Sequence, residues 1–204
     1  MKFDSGHVYH VYNQGNNKEA IFQTHEDYVE FLKMAKEYVI PNCDMLAWCL
    51  LPNHFHFMIV TNETSIKPFK QGNLIIDQLT NSFRKLLSAY THQYNKKNNR
   101  SGSLFRQKTK AKDLSVHKLN PASGKYDYYL NCFYYIHQNP LRHQLVTDLS
   151  KWKYSSFAFY CNKRKKDFCN KLLAAKICEY DENTFLELVN KRLPDEFLDF
   201  LEKG

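Results

Sequence analysis

Two histidines in the segment PNHFHFMIV are the first candidates for chemistry. His54 and His56 are two residues apart on a predicted strand, so both imidazoles project from one face with Cα atoms about 6 to 7 Å apart. Two imidazoles at that spacing can bind one divalent ion. Phe55 and Phe57 alternate with them and would anchor the strand in the core. The alternative is that both histidines only occupy the solvated face of a half-buried strand.

A tyrosine and an asparagine in the segment FYYIHQNP form the second candidate group. Tyr135 and Asn139 are four residues apart on a predicted helix and therefore share a face. The Asn139 amide oxygen could be a third, hard ligand, and the Tyr135 hydroxyl could approach a phosphate that the ion holds. Tyr134 is the rival nucleophile, but its five-residue offset from Asn139 rotates it away from that face. With 14 tyrosines in the chain, the helix could also use these rings for packing alone.

Two groups of basic residues indicate an anionic partner. Lys108, Lys110 and Lys112 share one face of a predicted strand. Arg84 and Lys85 lie off the apolar stripe of a predicted helix. All five side chains could bind the phosphates of a DNA backbone. Lysines also protect an edge strand against pairing with other chains, so the strand lysines have a structural explanation as well.

The charge of the whole chain also favours a nucleic-acid partner. The 204 residues include 29 Lys and Arg against 21 Asp and Glu, a formal charge of +8. Neutralised phosphates release counterions, which drives binding of such a chain to DNA.

The composition also predicts a globular protein, because the 43% of hydrophobic residues can bury a core. We find no apolar run of the ~20 residues that a membrane helix needs, no secretory signal and no CxxC pair among six cysteines, so we expect a cytoplasmic protein with reduced thiols.

The elements that must position these residues follow from hydrophobic periodicity and turn signals. Thr24 and Asp27 have capping-box spacing at the start of the first helix. The helix predicted at 126–138 should end before Pro140, because proline disfavours helical backbone at its predecessor. The order of elements predicts an α+β fold with a split βαβ sheet and helices packed on it. The predicted strands are 7–14, 44–51, 54–61 and 104–114, the helices 24–41, 74–94, 126–138, 182–192 and 194–203, and a loop is expected at 120–125.

Five segments of the chain, taken together, resemble one family of DNA-processing enzymes. They are YHVYNQGNNKEAIF, LPNHFHFMIV, GSLFRQ, YYIHQNPLRHQLV and WKYSSF, and they span roughly residues 6–160. In this order and spacing they closely resemble the REP-associated tyrosine transposases, which are single-tyrosine transposases of the HUH superfamily. The resemblance implies a ferredoxin-like sheet, a Mg²⁺ or Mn²⁺ ion on the histidine pair, and a helix-borne tyrosine. Such enzymes attack single-stranded DNA at imperfect palindromes that form hairpins.

The resemblance also implies a role for each candidate residue. It assigns the metal ligands to His54 and His56, the nucleophile to Tyr135 and the helix amide to Asn139. The expected activity is a metal-dependent single-stranded DNA endonuclease and strand transferase. Its intermediate would be a 5′-phosphotyrosine with a free 3′-OH, and a second 3′-OH could reverse that link and join strands.

The resemblance ends near residue 160, which divides the chain into two parts. The transposase domain would span 1–160, followed by a basic, helical C-terminal extension at 161–204, in a monomer or homodimer. Arg106 and Gln144 depart from the usual family pattern, which bears on DNA specificity rather than on the catalytic residues.

Two other functions are possible for such a sequence. One is a catalytically silent nucleic-acid-binding protein on the same fold, and the other is a metal-dependent phosphohydrolase. A histidine-triad nucleotide hydrolase is disfavoured because Met58 stands where a third alternating histidine is expected.

Overall fold

A four-stranded antiparallel sheet lies at the centre of the computed structural model, which describes residues 1–118 and 127–202. A second, two-stranded sheet is a short hairpin. The strands are β1 (Val8–Gln14), β2 (Asp44–Leu51), β3 (His54–Val60), β4 (Pro68–Gln71), β5 (Leu74–Asp77) and β6 (Lys110–Asp113). The main sheet has the order β2-β3-β1-β6, and its pairs are all antiparallel. This is the split βαβ arrangement, so the predicted ferredoxin-like α+β fold is confirmed. The loop expected at 120–125 lies outside the described residues.

Helices cover both faces of the main sheet. They are α1 (His25–Tyr38), α2 (Gln78–Lys97), α3 (Ser115–Lys118), α4 (Tyr128–Arg142), α5 (Phe157–Tyr160), α6 (Lys171–Cys178), α7 (Phe185–Leu188) and α8 (Asp195–Glu202). On one face, Phe31 of α1 packs on Phe55 and Phe57, with ring centroids 5.3 and 6.2 Å apart. The other face carries α4. Within the described part of the chain, no helix combines the length and apolar character needed to cross a bilayer.

The first helix begins as its capping box predicts. The Asp27 carboxylate accepts hydrogen bonds from the backbone N–H groups of Gln23 and Thr24, each at 2.9 Å. These are donors that a helix start otherwise leaves unpaired. Asp27 also forms a 2.7 Å ion pair with Lys97 at the end of α2. One carboxylate therefore caps α1 and connects it to the neighbouring helix.

The helix predicted at 74–94 starts later than expected. Leu74–Asp77 forms β5, which pairs with β4. Gly72 adopts a φ of +60° and, with Asn73, turns the chain into a tight hairpin. Ile75 and Ile76 are β-branched and suit a strand. The hairpin therefore takes up the apolar run before Gln78, and the helix begins only after it.

The strand predicted at 104–114 is regular only in its last part, Lys110–Asp113. Before it, a side chain replaces part of the strand ladder. Asn13 Nδ2 donates to the Arg106 carbonyl at 3.1 Å and to Thr109 Oγ1 at 2.9 Å. The segment that carries Arg106 and Lys108 is therefore an irregular edge held against β1.

The prediction that the helix at 126–138 ends before Pro140 is wrong, since α4 continues to Arg142. Proline removes one helical N–H donor, but here the loss falls in the final turn. The N–H of His143 still donates to the Asn139 carbonyl, and that of Leu145 to the Pro140 carbonyl, both at 2.9 Å. Asn139 and Pro140 are buried. Packing therefore overrides the conformational preference of a residue before proline.

The C-terminal tail packs against α4. Phe185 of α7 and Phe197 of α8 are fully buried, and Tyr180 stacks on Phe133 with ring centroids 4.9 Å apart. The predicted helix at 194–203 corresponds to α8, whereas the one at 182–192 is restricted to α7. Helix α6 was not predicted, because its exposed Leu172 and short length obscure the helical period.

Candidate active site

A cavity of about 460 Å³ lies between the α4 face of the sheet and α4 itself. Strand pairing places Tyr12 opposite both His56 and Lys110, and Gln14 opposite His54. Directly paired residues of an antiparallel sheet project from the same face, so three strands deliver polar side chains to one surface. The residues that line the cavity are His10, Tyr12, Asn13, Gln14, His54, His56, Arg106, Lys108, Lys110, Tyr135, Arg142, His143 and Leu201.

The two predicted ligand histidines are adjacent, with ring centroids 4.9 Å apart. Each is hydrogen bonded through its Nδ1 atom. His54 Nδ1 lies 2.5 Å from Asn53 Oδ1, and His56 Nδ1 lies 2.9 Å from His10 Nε2. Asn53 Nδ2 donates to the Lys18 carbonyl at 3.1 Å, which fixes the amide with its oxygen toward His54. In both rings Nε2 is therefore the nitrogen that can bind a further group.

Burial keeps these imidazoles neutral. It lowers the pKa of His54 and of His10 to about 3, and it lowers the pKa of His56 well below the ordinary value. Nearby cationic or imidazole groups add a smaller effect in the same direction, His143 on His54 and Lys112 on His10. A neutral imidazole is the form that binds a metal ion, so no proton has to leave these rings at neutral pH.

Two buried atoms of the candidate ligands lack a hydrogen-bond partner in the described part of the chain. They are His56 Nε2 and Asn139 Oδ1. Asn139 does not line the cavity. Its Nδ2 donates to the Tyr135 carbonyl at 3.0 Å, one turn back on α4, which leaves Oδ1 as the unpaired atom of the amide. Buried polar atoms are seldom left unpaired. Imidazole nitrogen and amide oxygen are ligands that Mn²⁺ and Mg²⁺ accept, so the donor chemistry fits such an ion.

The two candidate nucleophiles occupy different environments. Tyr135 lines the cavity, and its ring meets those of His56 and His10 edge-on, with centroids 5.7 and 5.8 Å apart. Tyr134 is 5% exposed and packs against Phe185, and burial raises the pKa of its hydroxyl. The structure therefore brings Tyr135, and not Tyr134, to the histidine pair.

Four cations surround the cavity, and none of the described residues that line it is a carboxylate. The cations are Arg106, Lys108, Lys110 and Arg142. The Arg142 guanidinium lies over the Tyr135 ring, 5.5 Å from its centroid. A concave surface with one sign of charge concentrates anions. The cavity is therefore suited to the phosphates of a nucleic-acid strand.

Three predicted DNA-binding residues lie outside this cavity. Lys112 Nζ donates to the Phe200 carbonyl and sits 4.8 Å from the centre of that ring, so α8 covers it. Arg84 and Lys85 line a separate hollow on the outer surface of α2. Of the five predicted basic residues, only Lys108 and Lys110 therefore line the histidine cavity.

Sequence reasoning did not single out several of the lining residues, among them His10, Arg142 and His143. His10 follows the same two-residue alternation as the strand histidines, but its register against β3 could not be deduced from the sequence. Arg142 and His143 come two and three residues after Pro140, beyond the expected end of the helix. The His143 ring lies 4.8 Å from that of His54, and burial beside Arg142 lowers its pKa.

The C-terminal helix supplies part of the cavity wall. Leu201 of α8 lines the cavity, and the Phe197 ring lies 6.4 Å from that of Tyr135, centroid to centroid. Both side chains are buried. Residues beyond position 160 are therefore part of the candidate site.

Comparison with known proteins identifies one solved structure of similar fold. It is a REP-associated tyrosine transposase bound to a REP hairpin, with a TM-score of 0.54 and 17% sequence identity. The similarity covers 82% of this chain and 87% of that chain. No family model matches the chain, and no curated protein matches it. The fold that the sequence resemblance implied is confirmed at the level of overall structure.

Proposed function

We propose that the protein is a metal-dependent, single-tyrosine DNA strand transferase that cuts single-stranded DNA beside a hairpin. One observation carries the proposal: Tyr135, His54 and His56 line the same cation-rich cavity. The fold of the solved transposase supports it, because that protein is bound to a REP hairpin. A protein that acts on chromosomal DNA in this way would work in the cytoplasm. It would do so as a monomer or homodimer.

The reaction begins with attack of Tyr135 Oη on the phosphorus of one phosphodiester. A P–O bond to the tyrosine forms as the P–O3′ bond breaks. The phenolic proton goes to solvent, and the departing 3′ oxygen takes up a proton to give a free 3′-OH. The 5′-phosphotyrosine keeps one phosphoester bond in exchange for another, so a second 3′-OH can reverse the step without ATP.

The cations bind and orient the strand. Arg106, Lys108 and Lys110 line the cavity and would hold the backbone phosphates on either side of the cleaved one. Arg142 lies over the Tyr135 ring and favours its negatively charged, nucleophilic form. A Mg²⁺ or Mn²⁺ ion held by His54, His56 and Asn139 would neutralise the charge that builds on the phosphate oxygens.

A covalent adduct is the decisive test of this function. Labelled single-stranded oligonucleotides that contain palindromes from either side of the protein's own gene are incubated with the full chain, with Mg²⁺, with Mn²⁺ or with EDTA. We expect a metal-dependent band that survives denaturation and shifts after protease treatment.

Three other results would contradict the proposal, each in a different way. Cleaved DNA without any adduct would indicate a phosphohydrolase that uses water. Tight binding of hairpins without cleavage under any condition would indicate a silent binding protein. Adduct formation at full yield in EDTA would remove the metal requirement.

A further inference from the structure

His10 forms an unusual contact with a candidate metal ligand. It lies in β1 and is 2% exposed, and its Nε2 atom is 2.9 Å from His56 Nδ1. The two rings are inclined by only 15°. Their centroids are 5.1 Å apart while the two nitrogens are 2.9 Å apart, so the rings lie end to end rather than face to face. In such an in-plane hydrogen bond the N–H of one imidazole points at the lone pair of the other. The contact therefore holds one hydrogen between two rings.

Only one position of that hydrogen leaves His56 able to bind an ion. A neutral imidazole carries one hydrogen, on either Nδ1 or Nε2. If His10 donated, His56 would carry its own hydrogen on Nε2 and would present an N–H to the cation. If His10 accepts, the hydrogen is on His56 Nδ1 and the Nε2 lone pair is available.

We propose that His10 is a positioning residue that accepts the Nδ1 hydrogen of His56 and so directs the His56 Nε2 lone pair toward a divalent ion. This inference rests on the proposed function, because it concerns the same metal site. Asn53 has the corresponding place at His54, where its side-chain oxygen faces Nδ1. Ligand histidines usually have such a partner, commonly a carboxylate or a carbonyl. Here the partner of His56 is a second imidazole.

The assignment has a consequence for His10 itself. Its own hydrogen must then be on Nδ1, a buried atom without a hydrogen-bond partner in the described part of the chain. Either arrangement leaves one buried N–H unpaired among the described residues, on His10 Nδ1 or on His56 Nε2. Binding of an ion at His56 Nε2 therefore selects the arrangement in which His10 accepts. Tyr135 packs edge-on against the rings of both His10 and His56, so the two histidines also hold the ring of the proposed nucleophile in place.

Two substitutions separate the acceptor from the ring. His10→Phe keeps a planar ring but has no acceptor, whereas His10→Gln places an amide oxygen where Nε2 lies. Calorimetric titration of the full chain with Mn²⁺ should show binding weakened about 10- to 100-fold by His10→Phe. His10→Gln should stay within about threefold of the parent, because it restores the accepting atom.

Met58→Leu is the matched control. Met58 is the cross-strand partner of His10 and is fully buried, but it has no part in the imidazole contact. Its replacement changes packing at the same place and should leave Mn²⁺ affinity unchanged. A His10→Phe protein that binds Mn²⁺ like the parent would overturn the role. Equal losses in His10→Phe and His10→Gln would overturn it too, since they would indicate ring packing.

A spectroscopic measurement on the parent protein keeps the inference testable even if His10→Phe does not fold. With saturating Mg²⁺, the ¹⁵N shifts of the His56 ring should show the hydrogen on Nδ1. A hydrogen on Nε2, or a parent that binds neither ion, would overturn the positioning role.

The outcome is distinguishable from failure of the proposed function. His10-dependent Mn²⁺ binding without any DNA adduct would remove the strand-transfer activity and keep the role of His10. Adduct formation together with His10-independent Mn²⁺ binding would do the reverse.

Discussion

At the scale of single residues, the difference between Tyr134 and Tyr135 lies in what each ring contacts. Tyr135 lies against His10 and His56 at the cavity. Tyr134 is turned toward Phe133 and Phe185 in the core. A rotation of about 100° along the helix separates the two side chains. This difference makes adjacent tyrosines a natural pair of variants.

We expect Tyr135→Phe to abolish the covalent DNA adduct while DNA affinity and Mn²⁺ affinity stay within about twofold. The variant lacks the attacking oxygen but keeps the ring that packs against the histidines. The measurement is a denaturing gel with labelled hairpin DNA. Tyr134→Phe is the matched control and should form the adduct at the parent's rate. An adduct in Tyr135→Phe would mean that another residue is the nucleophile.

The histidine pair yields a second residue-scale prediction. His54→Ala combined with His56→Ala should abolish Mn²⁺ binding in calorimetry, because it removes both imidazole ligands. Asn139→Ala should weaken binding more modestly, since it removes one oxygen among ligands that include water. Unchanged Mn²⁺ affinity in the double variant would place the metal site elsewhere.

At the scale of elements, the segment that carries Arg106 and Lys108 brings two cations to the cavity. It is tied to β1 through the Asn13 side chain, so its charges face the cavity from an irregular edge. Lys110 continues the same line into β6. Lys112, one alternation further, is covered by Phe200.

We predict that Lys108→Ala with Lys110→Ala reduces the salt dependence of DNA binding. Each lost phosphate contact lowers the slope of log K against log salt by roughly 0.7 for a single strand, so the pair should lower it by about 1.4. Fluorescence anisotropy over a series of salt concentrations measures the slope. Lys112→Ala is the control on the same strand and should change it little. If Arg84→Ala with Lys85→Ala has the larger effect, the hollow on α2 is the main DNA surface.

The sheet and its main helices could be predicted because their sequence signals are local. Alternation in β3 and the capping box at Thr24 each involve residues a few positions apart. The contact between His10 and His56 joins residues 46 positions apart and depends on strand register. Register is set by the packing of the whole sheet, which periodicity in one segment does not contain. The continuation of α4 past Pro140 depends on burial in the same way.

At the scale of the whole molecule, the tail beyond residue 160 is part of the core. Phe197 is fully buried and reaches the Tyr135 ring. Lys112 donates to the backbone of α8. Sheet, α4 and tail therefore share one packed interior around the site.

Phe197→Ala should lower the free energy of unfolding by about 3 to 5 kcal/mol, because it removes a large buried ring and leaves a cavity. Thermal unfolding followed by circular dichroism should show a midpoint roughly 10 °C lower. Leu172→Ser on α6 is the control, since that side chain is 86% exposed and should be nearly neutral. Equal stability of the two variants would mean that α8 does not contribute to the folded core.

Buried neutral histidines predict loss of stability in acid. The pKa values of His10, His54 and His137 are lowered to about 3 by burial, whereas an unfolded histidine has a pKa near 6.5. Below about pH 6.5 the unfolded chain binds protons that the folded chain does not, so stability falls as the pH drops toward 3. Each such group contributes about 1.4 kcal/mol per pH unit in that window. Urea unfolding at several pH values should show a shallower dependence in the His54→Ala, His56→Ala double variant.

A cavity that presents four cations and no carboxylate among its described lining residues will not discriminate strongly between a DNA phosphate and a small anion. Inorganic phosphate, sulfate and pyrophosphate should therefore act as weak competitive inhibitors. In phosphate buffer the apparent affinity for DNA should be lower than in HEPES at equal ionic strength. The same property should make the protein retain nucleic acid through purification unless a high-salt wash removes it. The choice of buffer thus becomes a variable that any measurement on this protein has to control.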